Sequence, residues 1–97
     1  MIVSFADKVT EAVFHGAPVR LLKRLPAELI GRATQKLDYQ NGASELSDLE
    51  VPPGNRLEAL KRDLRGFHSI RINDQWRVVF RWQGSDAYDV QLVEYHR

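Results

Sequence analysis

The chain has 97 residues, of which 43% are hydrophobic and 28% are charged, and its formal net charge is +1. This balance is typical of a folded domain, and no apolar segment approaches the roughly 20 residues of a membrane-spanning helix. Because the chain has no cysteine, disulfides and thiolate chemistry are excluded; we expect a single cytoplasmic domain over residues 1–97, with no signal peptide, no membrane partner and no metal or other cofactor.

The first forty-two residues predict a short strand and two helices. Residues 2–5 favour the strand, and Asp7 is a suitable N-cap for a first helix that ends at Gly16. Pro26 opens a second helix, in which apolar residues recur at three- and four-residue spacing until the segment QNG at 40–42. The two helices are expected to pack against each other.

Strands are predicted after the segment VPPGN at 51–55, which is typical of a loop. Residues 56–61 (RLEALK) fit a helix or a strand, and their periodicity does not decide between the two. Alternating apolar residues predict a strand at 66–72, another at 76–82 and a last one near the end of the chain. Short turns between them favour an antiparallel meander with the helices on one face, an α+β fold.

Basic residues concentrate in the same part of the chain. Between residues 56 and 81 there are seven basic residues against three acidic ones, although the whole chain is nearly neutral. Such a stretch indicates an anion-binding face; the alternative is a solvated sheet surface whose arginines pair with Asp63, Asp74 or Asp89. The seven basic residues are Arg56, Lys61, Arg62, Arg65, Arg71, Arg77 and Arg81.

The end of the chain adds groups that exchange or orient protons. Alternation places Arg77 and Arg81 on the face of their strand that the large apolar residues do not use. The chain then closes on Glu94, Tyr95 and His96, a carboxylate, a phenol and an imidazole. Cations that hold a phosphate, together with a proton donor and acceptor, suffice for metal-free RNA cleavage, in which the 2′-hydroxyl is the nucleophile. A Tyr-His pair that merely decorates the surface is the alternative.

Three strings carry a resemblance to a known family. They are SFADKVTEAVFHG at 4–16, PPGNRLEALKRDLRGFHSIRINDQWRVVFRW at 52–82 and VEYH at 93–96, and the resemblance spans essentially the whole chain. Together they resemble the HigB toxins of the RelE/ParE superfamily of bacterial toxin–antitoxin systems. The resemblance implies a RelE-like fold, with two N-terminal helices packed on a small, mostly antiparallel twisted sheet, and it implies that residues 56–61 form a strand.

The resemblance also implies a function and partners. HigB-type toxins are ribosome-dependent endoribonucleases that cut mRNA in the decoding site. The expected partners are therefore the ribosome with its mRNA and a HigA-type helix-turn-helix antitoxin, with operator DNA contacted only through that antitoxin.

Site residues follow from the same resemblance. Lys61 and Arg77 match catalytic cations of the family, and Glu94, Tyr95 and His96 match its terminal catalytic acid-Tyr-His motif. The predicted RNA-binding residues are Arg56, Arg62, Arg71, Gln75 and Arg81.

Two positions depart from the family pattern. The acid of the terminal motif is commonly Asp, whereas this chain has Glu94. Some members carry a His where this chain has Glu58, so that histidine's part in proton transfer does not carry over.

Two other functions remain open at the level of the sequence. The superfamily also contains ParE-like inhibitors of DNA gyrase, which are binding proteins, and a detoxified protein would survive only as an antitoxin-binding module. The terminal segment EYH favours the nuclease, because a pure inhibitor has no need of these proton donors.

Overall fold

The computed structural model describes residues 1–95, and His96 and Arg97 lie outside the described residues. Within this range two helices precede one sheet, which confirms the α+β class. The elements are helix α1 (Lys8–Phe14), helix α2 (Ala27–Gly42), and strands β1 (Glu58–Ala59), β2 (Phe67–Arg71), β3 (Trp76–Gln83) and β4 (Asp86–Glu94).

Both helices lie where the sequence predicts them. The Asp7 carboxylate accepts a hydrogen bond from the Thr10 backbone N–H at 2.7 Å and so caps α1. The chain leaves α1 through Gly16, whose φ of +75° is one that residues other than glycine rarely adopt. Helix α2 follows Pro26 and buries one stripe of side chains that includes Leu29, Ile30, Ala33 and Leu37. Neither helix is long and apolar enough to cross a bilayer.

The strands form the predicted antiparallel meander, in the order β1-β2-β3-β4. Val78 and Phe80 of β3 and Val90 and Leu92 of β4 are buried in one core with the helices. The opposite face of the sheet, called here the outer face, carries the side chains that alternate with these. Arg77 and the other polar side chains of β3 therefore lie on the outer face.

Two segments form less strand than expected. Residues 2–5 make only two isolated parallel bridges to β4, Ile2 to Ala87 and Phe5 to Val90. In the ambiguous segment 56–61 only Glu58–Ala59 pairs as a strand. The backbone has a positive φ on each side of this short strand, at Arg56 (46°) and at Arg62 (58°), which turns the chain out of the sheet at both ends.

Strand β4 is irregular where it passes the N-terminal segment. The pairing of β3 with β4 shifts register between Val79 and Arg81, and Asp89 has a φ of +53°, which together indicate a β-bulge. At this point the backbone N–H groups of Asp89 and Val90 donate to the hydroxyl and the carbonyl of Ser4, at 2.9 and 3.1 Å. The bulge thus seats the start of the chain against β4.

Candidate active site

The guanidinium of Arg77 is the centre of a polar cluster on the outer face. Instead of projecting into solvent it lies across β2, where its Nε donates to the Ser69 hydroxyl at 2.8 Å. Its Nη2 donates to the carbonyl of Arg56 at 2.6 Å, and its Nη1 is 3.8 Å from the Glu58 carboxylate. Contacts with two neighbouring strands therefore fix the position of this cation.

The end of β4 closes the cluster. The Tyr95 backbone N–H donates to the Gln75 carbonyl at 2.6 Å, which ties the end of the chain to the turn between β2 and β3. The Tyr95 ring centroid is 5.7 Å from the Arg77 guanidinium carbon, a cation–π contact. The sequence predicts that the end of the chain approaches the strand arginines, and Tyr95 does approach Arg77. His96 lies outside the described residues.

Arg71 and Arg77 are directly opposite each other in the pairing of β2 with β3. Like charges at such positions destabilise a sheet. Each of them has its own carboxylate: Arg71 pairs with Asp74 in the turn, and Arg77 pairs with Glu58. Arg71 is thus partly neutralised, as the alternative of a solvated sheet surface predicts for this residue.

The loop in front of β1 is fixed by one buried amide. The Asn55 side chain is fully buried, and its Nδ2 donates to the carbonyls of Leu49 and Val51 at 3.1 and 3.2 Å. Its Oδ1 accepts a hydrogen bond from Lys36 on α2. The next residue, Arg56, supplies the carbonyl that receives the guanidinium described above. The hydrogen bond from Lys36 to Asn55 and the backbone from Asn55 to Arg56 therefore link helix α2 to the cluster.

Lys36 is itself affected by this location. Partial burial lowers the pKa of Lys36 below its ordinary value of 10.5, and repulsion from Arg32 and Arg71 lowers the pKa further. The ammonium of Lys36 is thus less favoured in the fold than in an unfolded chain, although it donates to Asn55.

Lys61 and Arg62 occupy the turn that follows β1. Both are exposed, and Lys61 begins the short 3-10 turn Arg62–Leu64. Within residues 1–95 no hydrogen bond or ion pair joins the Lys61 side chain to the Arg77 cluster. The two predicted catalytic cations therefore differ: Arg77 is held in place, and the exposed Lys61 side chain has no partner among the described residues.

Arg81 lies at the other end of the outer face. Its guanidinium carbon is 5.6 Å from the Phe67 ring centroid, and its Nη1 is 3.8 Å from the Asp89 carboxylate. Asp89 is the residue at the β-bulge, and it was also a predicted partner for a strand arginine. A cleft of about 250 Å³ opens beside Arg81.

The remaining predicted residues do not all lie on the outer face. Gln75 is exposed in the turn before β3. Glu94 is exposed at the end of β4 and pairs in register with Trp76, which packs on the core, so the Glu94 side chain projects to the face opposite that of Arg77. Arg56 is exposed, and its backbone is in the left-handed region.

Sequence reasoning missed the residues that hold the cluster together. Ser69 and Asn55 are ordinary polar residues in the sequence, and only strand pairing and loop closure make them partners of a cation or a carbonyl. Glu58 was set aside because it replaces a histidine, yet its carboxylate is on the outer face beside Arg77. The sequence did contain a signal that places Glu58 near the site. Glu58 is three residues before Lys61, in the segment that the resemblance implies to be a strand.

Comparison with known proteins identifies the family. Residues 3–96 match the family described as RelE-like toxin of the type II toxin–antitoxin system HigB. The chain belongs to the HigB-like toxins. Its curated relatives include Toxin HigB-1 of Vibrio cholerae, 35% identical over 92 residues that cover 95% of each chain. Endoribonuclease HigB of Proteus vulgaris is 29% identical over 96 residues, which cover 99% of this HigB-like toxin and 100% of the relative.

Solved structures confirm the RelE-like fold expected from the resemblance. A chain of the YoeB-YefM complex from Staphylococcus aureus superposes with a TM-score of 0.62 at 18% identity, covering 100% of this chain and 97% of that one. The YoeB/ParE toxin from Agrobacterium tumefaciens gives a TM-score of 0.56 at 18% identity, covering 98% of both chains. At these identities the likeness shows the fold alone. Membership in a toxin–antitoxin system does imply an antitoxin partner for this HigB-like toxin.

Proposed function

We propose that this HigB-like toxin is a ribosome-dependent endoribonuclease that cuts mRNA in the decoding site without a metal ion. The observation that carries the proposal is the enclosed guanidinium of Arg77, fixed by Ser69 and the Arg56 carbonyl and flanked by Glu58 and Tyr95. A cation that is already in position when negative charge develops on a phosphate stabilises the transition state without reorganisation. The name of the relative Endoribonuclease HigB supports the RNA-cleaving part of this proposal.

The reaction proceeds by attack of the ribose 2′-hydroxyl. A base takes the 2′-hydroxyl proton, the 2′-oxygen bonds to phosphorus, and the bond from phosphorus to the 5′-oxygen breaks as an acid protonates that oxygen. The products are a 2′,3′-cyclic phosphate, or its opened form, and a 5′-hydroxyl. Proton transfer at both oxygens is general acid–base catalysis, and it needs groups within hydrogen-bond reach of the scissile phosphate.

The residues divide these tasks. Arg77 and Lys61 hold the phosphate oxygens, Arg77 as a fixed cation and Lys61 as one that closes onto the substrate. His96, oriented by Glu94, exchanges protons with the reacting oxygens. Tyr95 positions the RNA and, through its ring contact, the Arg77 guanidinium.

Glu58 extends this set beyond the sequence-based hypothesis. It is a carboxylate 3.8 Å from Arg77 and more than half exposed, so it is accessible to a substrate held by that arginine. Carboxylates accept protons in many active sites. Glu58 and His96 then serve as the pair of proton-exchanging groups on which the two transfers depend.

Further cations guide the RNA to the site. Sequence-independent affinity for RNA comes mainly from cations near its phosphates. Arg56 and Arg62 are exposed next to Glu58 and Lys61, and Gln75 lies beside Tyr95. Arg71 contributes less in this assignment because Asp74 neutralises part of its charge.

The partners follow from this function. The toxin acts in the cytoplasm on translating ribosomes, and a HigA-type antitoxin with a helix-turn-helix domain neutralises it. Operator DNA is reached only through that antitoxin.

Expression of the toxin alone, with mapping of mRNA 5′ ends, tests the proposal. Wild-type protein is expected to arrest growth and to cut inside translated codons, whereas Lys61→Ala and His96→Ala abolish both. Lys61 is exposed and has no described side-chain partner, so the free energy of unfolding of Lys61→Ala should stay within about 0.5 kcal/mol of wild type. Arg65→Ala is the matched control, because Arg65 is an exposed cation close to the same turn with no assigned role.

The possible outcomes separate the proposal from its alternatives. Full toxicity in both Lys61→Ala and His96→Ala contradicts the assigned residues. Gyrase-linked DNA breaks without mRNA cuts support a ParE-like inhibitor, and harmless expression of the wild type supports a detoxified antitoxin-binding module.

A further inference from the structure

Three planar side chains form a row at the end of the outer face that is distant from Arg77. Phe67 is opposite Arg81 in the pairing of β2 with β3, and Arg81 is opposite Tyr88 in the pairing of β3 with β4. Directly paired residues project to the same side of a sheet. Phe67, Arg81 and Tyr88 therefore lie side by side across three strands, and they are called the stacking row below.

Arg81 has one covered side and one open side within this row. The Phe67 ring, centred 5.6 Å from the guanidinium carbon, packs on it, while 59% of the Arg81 side chain remains exposed. A guanidinium plane stacks on aromatic rings and on nucleobases in the same way. The exposed part of Arg81 is thus available for a second planar group.

A cleft beside the row has room for such a group. Its volume is about 250 Å³. Gly66 at its edge has a φ of +94°, and apart from Gly66 and its two chain neighbours no heavy atom lies within 4 Å of the place where a Cβ would be, so this edge is open. The cleft is lined by Gly66, Arg81, Trp82, Gln83, Tyr88 and Asp89.

The charge of the cleft favours a base over a phosphate. The Asp89 carboxylate is 3.8 Å from Arg81 and offsets its positive charge. A phosphate at this point would meet that carboxylate, whereas the amino group of a base would donate to it. Aromatic faces with polar groups at their edge are the usual elements of single-stranded RNA recognition.

The position of the row suits an RNA strand held at Arg77. Arg81 follows Arg77 by four residues along β3, a separation of about 13 Å. When the scissile phosphate is at Arg77, the base of a nearby nucleotide in the same RNA strand can reach across this distance to the stacking row. The outer face thus offers a fixed cation at one end and planar side chains at the other.

We propose that the stacking row and its cleft bind a nucleobase of RNA, which stacks on the side of Arg81 that Phe67 leaves open, next to Tyr88. The inference rests on the proposed function and adds a substrate-binding subsite to it. The base comes either from the mRNA that is cut or from the ribosomal RNA around the decoding site; both offer the same chemistry.

Substitutions that remove a ring but keep an apolar side chain test the proposal. Single-turnover cleavage of mRNA on programmed ribosomes is measured as a function of toxin concentration. Phe67→Leu removes the ring behind the Arg81 guanidinium, and Tyr88→Leu removes the ring beside the base. Each should raise the half-saturating concentration about tenfold, which is the scale of one stacking contact. The maximal rate should stay unchanged. Phe67→Tyr and Tyr88→Phe keep the rings and should behave as wild type.

The source of the base is found with abasic mRNAs. Each carries one nucleotide without a base, at successive positions around the cut. If the base belongs to the mRNA, one abasic position weakens wild-type binding about tenfold and has no further effect on the Leu variants. If it belongs to ribosomal RNA, no mRNA position shows this coupling, and the Leu variants bind vacant ribosomes about tenfold more weakly.

The subsite and the proposed function fail in different ways. Cleavage by wild type with unchanged half-saturating concentrations in both Leu variants would overturn the subsite alone. Equal losses in the Leu variants and in their ring-preserving controls would overturn it too, because stacking would then not be the cause. A wild-type toxin that cuts no mRNA on ribosomes contradicts the proposed function itself.

Discussion

Arg77 and Arg81 occupy equivalent positions on one face of one strand, yet the protein holds them differently. The Arg77 side chain is only 11% exposed and bonds to Ser69 and to the Arg56 carbonyl. The Arg81 side chain is 59% exposed and has one aromatic contact and one ion pair. The fixed cation suits the phosphate at which charge develops, and the open one suits contacts that form only when RNA binds.

The difference shows why position on a strand does not by itself define a site. Alternation places both arginines on the outer face, and there they look alike. Their partners come from other parts of the chain: the loop before β1 provides the carbonyl for Arg77, and the bulge of β4 provides the carboxylate for Arg81. The functional difference is thus set by tertiary contacts.

The largest expected effect is that of Arg77→Met. This change leaves the Arg56 carbonyl and the Ser69 hydroxyl without the guanidinium, and an unpaired buried polar group costs about 1–3 kcal/mol. Urea denaturation should show this loss in the free energy of unfolding. Under the proposed function, cleavage should also fall by a factor of about 10² or more.

Arg81→Met is the matched control for this prediction. The same substitution at the exposed end should change the free energy of unfolding by no more than about 0.5 kcal/mol, and the maximal rate of cleavage should persist. Equal destabilisation by the two changes would contradict the distinction between a fixed and an open cation.

Arg77→Lys separates charge from geometry. The lysine keeps the positive charge, but its ammonium does not reproduce the guanidinium fork that reaches Ser69, Arg56 and Glu58 at once. Cleavage should therefore stay well below the wild-type rate. A fully active Arg77→Lys would show that charge alone suffices at this position.

Local signals in the sequence were enough for the fold. The Asp7 cap, the glycine after α1, the proline before α2 and the alternation in β3 depend on neighbours in the chain, and all four lie where they were predicted. The family match extends this to the whole fold. Residues 2–5 were overestimated as a strand, since they make only two isolated bridges to β4. One of these bridges lies beside the bulge at Asp89, which no glycine marks in the sequence.

The site was predictable only in part. The resemblance named Lys61, Arg77 and the terminal motif as site residues, and their catalytic roles stay a prediction. It did not show that Arg77 turns across β2 towards β1, because that orientation depends on the β1–β2 register and on the backbone of Arg56. Pairing between residues distant in sequence fixes both features, and periodicity within a strand contains no information about them.

Asn55→Ala should destabilise the fold about as much as Arg77→Met and have a smaller effect on cleavage, because it removes hydrogen bonds that hold the loop in front of β1 and leaves the guanidinium itself in place. The buried carbonyl of Leu49 and the partly buried carbonyl of Val51 lose their donor, so the free energy of unfolding should fall by about 1–3 kcal/mol. Because Asn55 and Arg77 act on adjacent parts of one loop, their substitutions should be non-additive in a double-mutant cycle of unfolding free energies.

Asn41→Ala provides the comparison for Asn55. The Asn41 side chain also accepts a backbone hydrogen bond, from Ile2 at 2.9 Å, but it is exposed, and its loss should cost at most about 0.5 kcal/mol. Strict additivity of Asn55→Ala with Arg77→Met would mean that the loop does not hold the guanidinium.

The smallest expected effect is on the titration of Lys36, at the far end of the same hydrogen bonds. Burial lowers the pKa of Lys36 below 10.5, and Arg32 and then Arg71 lower it further. At pH values between this lowered pKa and 10.5, the Lys36 side chain therefore binds more protons in the unfolded chain than in the folded one. Over that pH range the contribution of Lys36 to the free energy of unfolding rises with pH. The wild type should gain stability relative to Lys36→Met as the pH rises through this window.

Substitution of a neighbouring charge isolates the electrostatic part of this effect. Arg71→Gln removes one source of repulsion and should raise the pKa of Lys36, as followed by NMR of its side chain, while the lowering by burial remains. Arg65→Gln removes an exposed positive charge that does not contribute to the shift and should leave the pKa of Lys36 unchanged. If the two variants gave the same Lys36 titration, the charge of Arg71 would have no effect on the Lys36 ammonium.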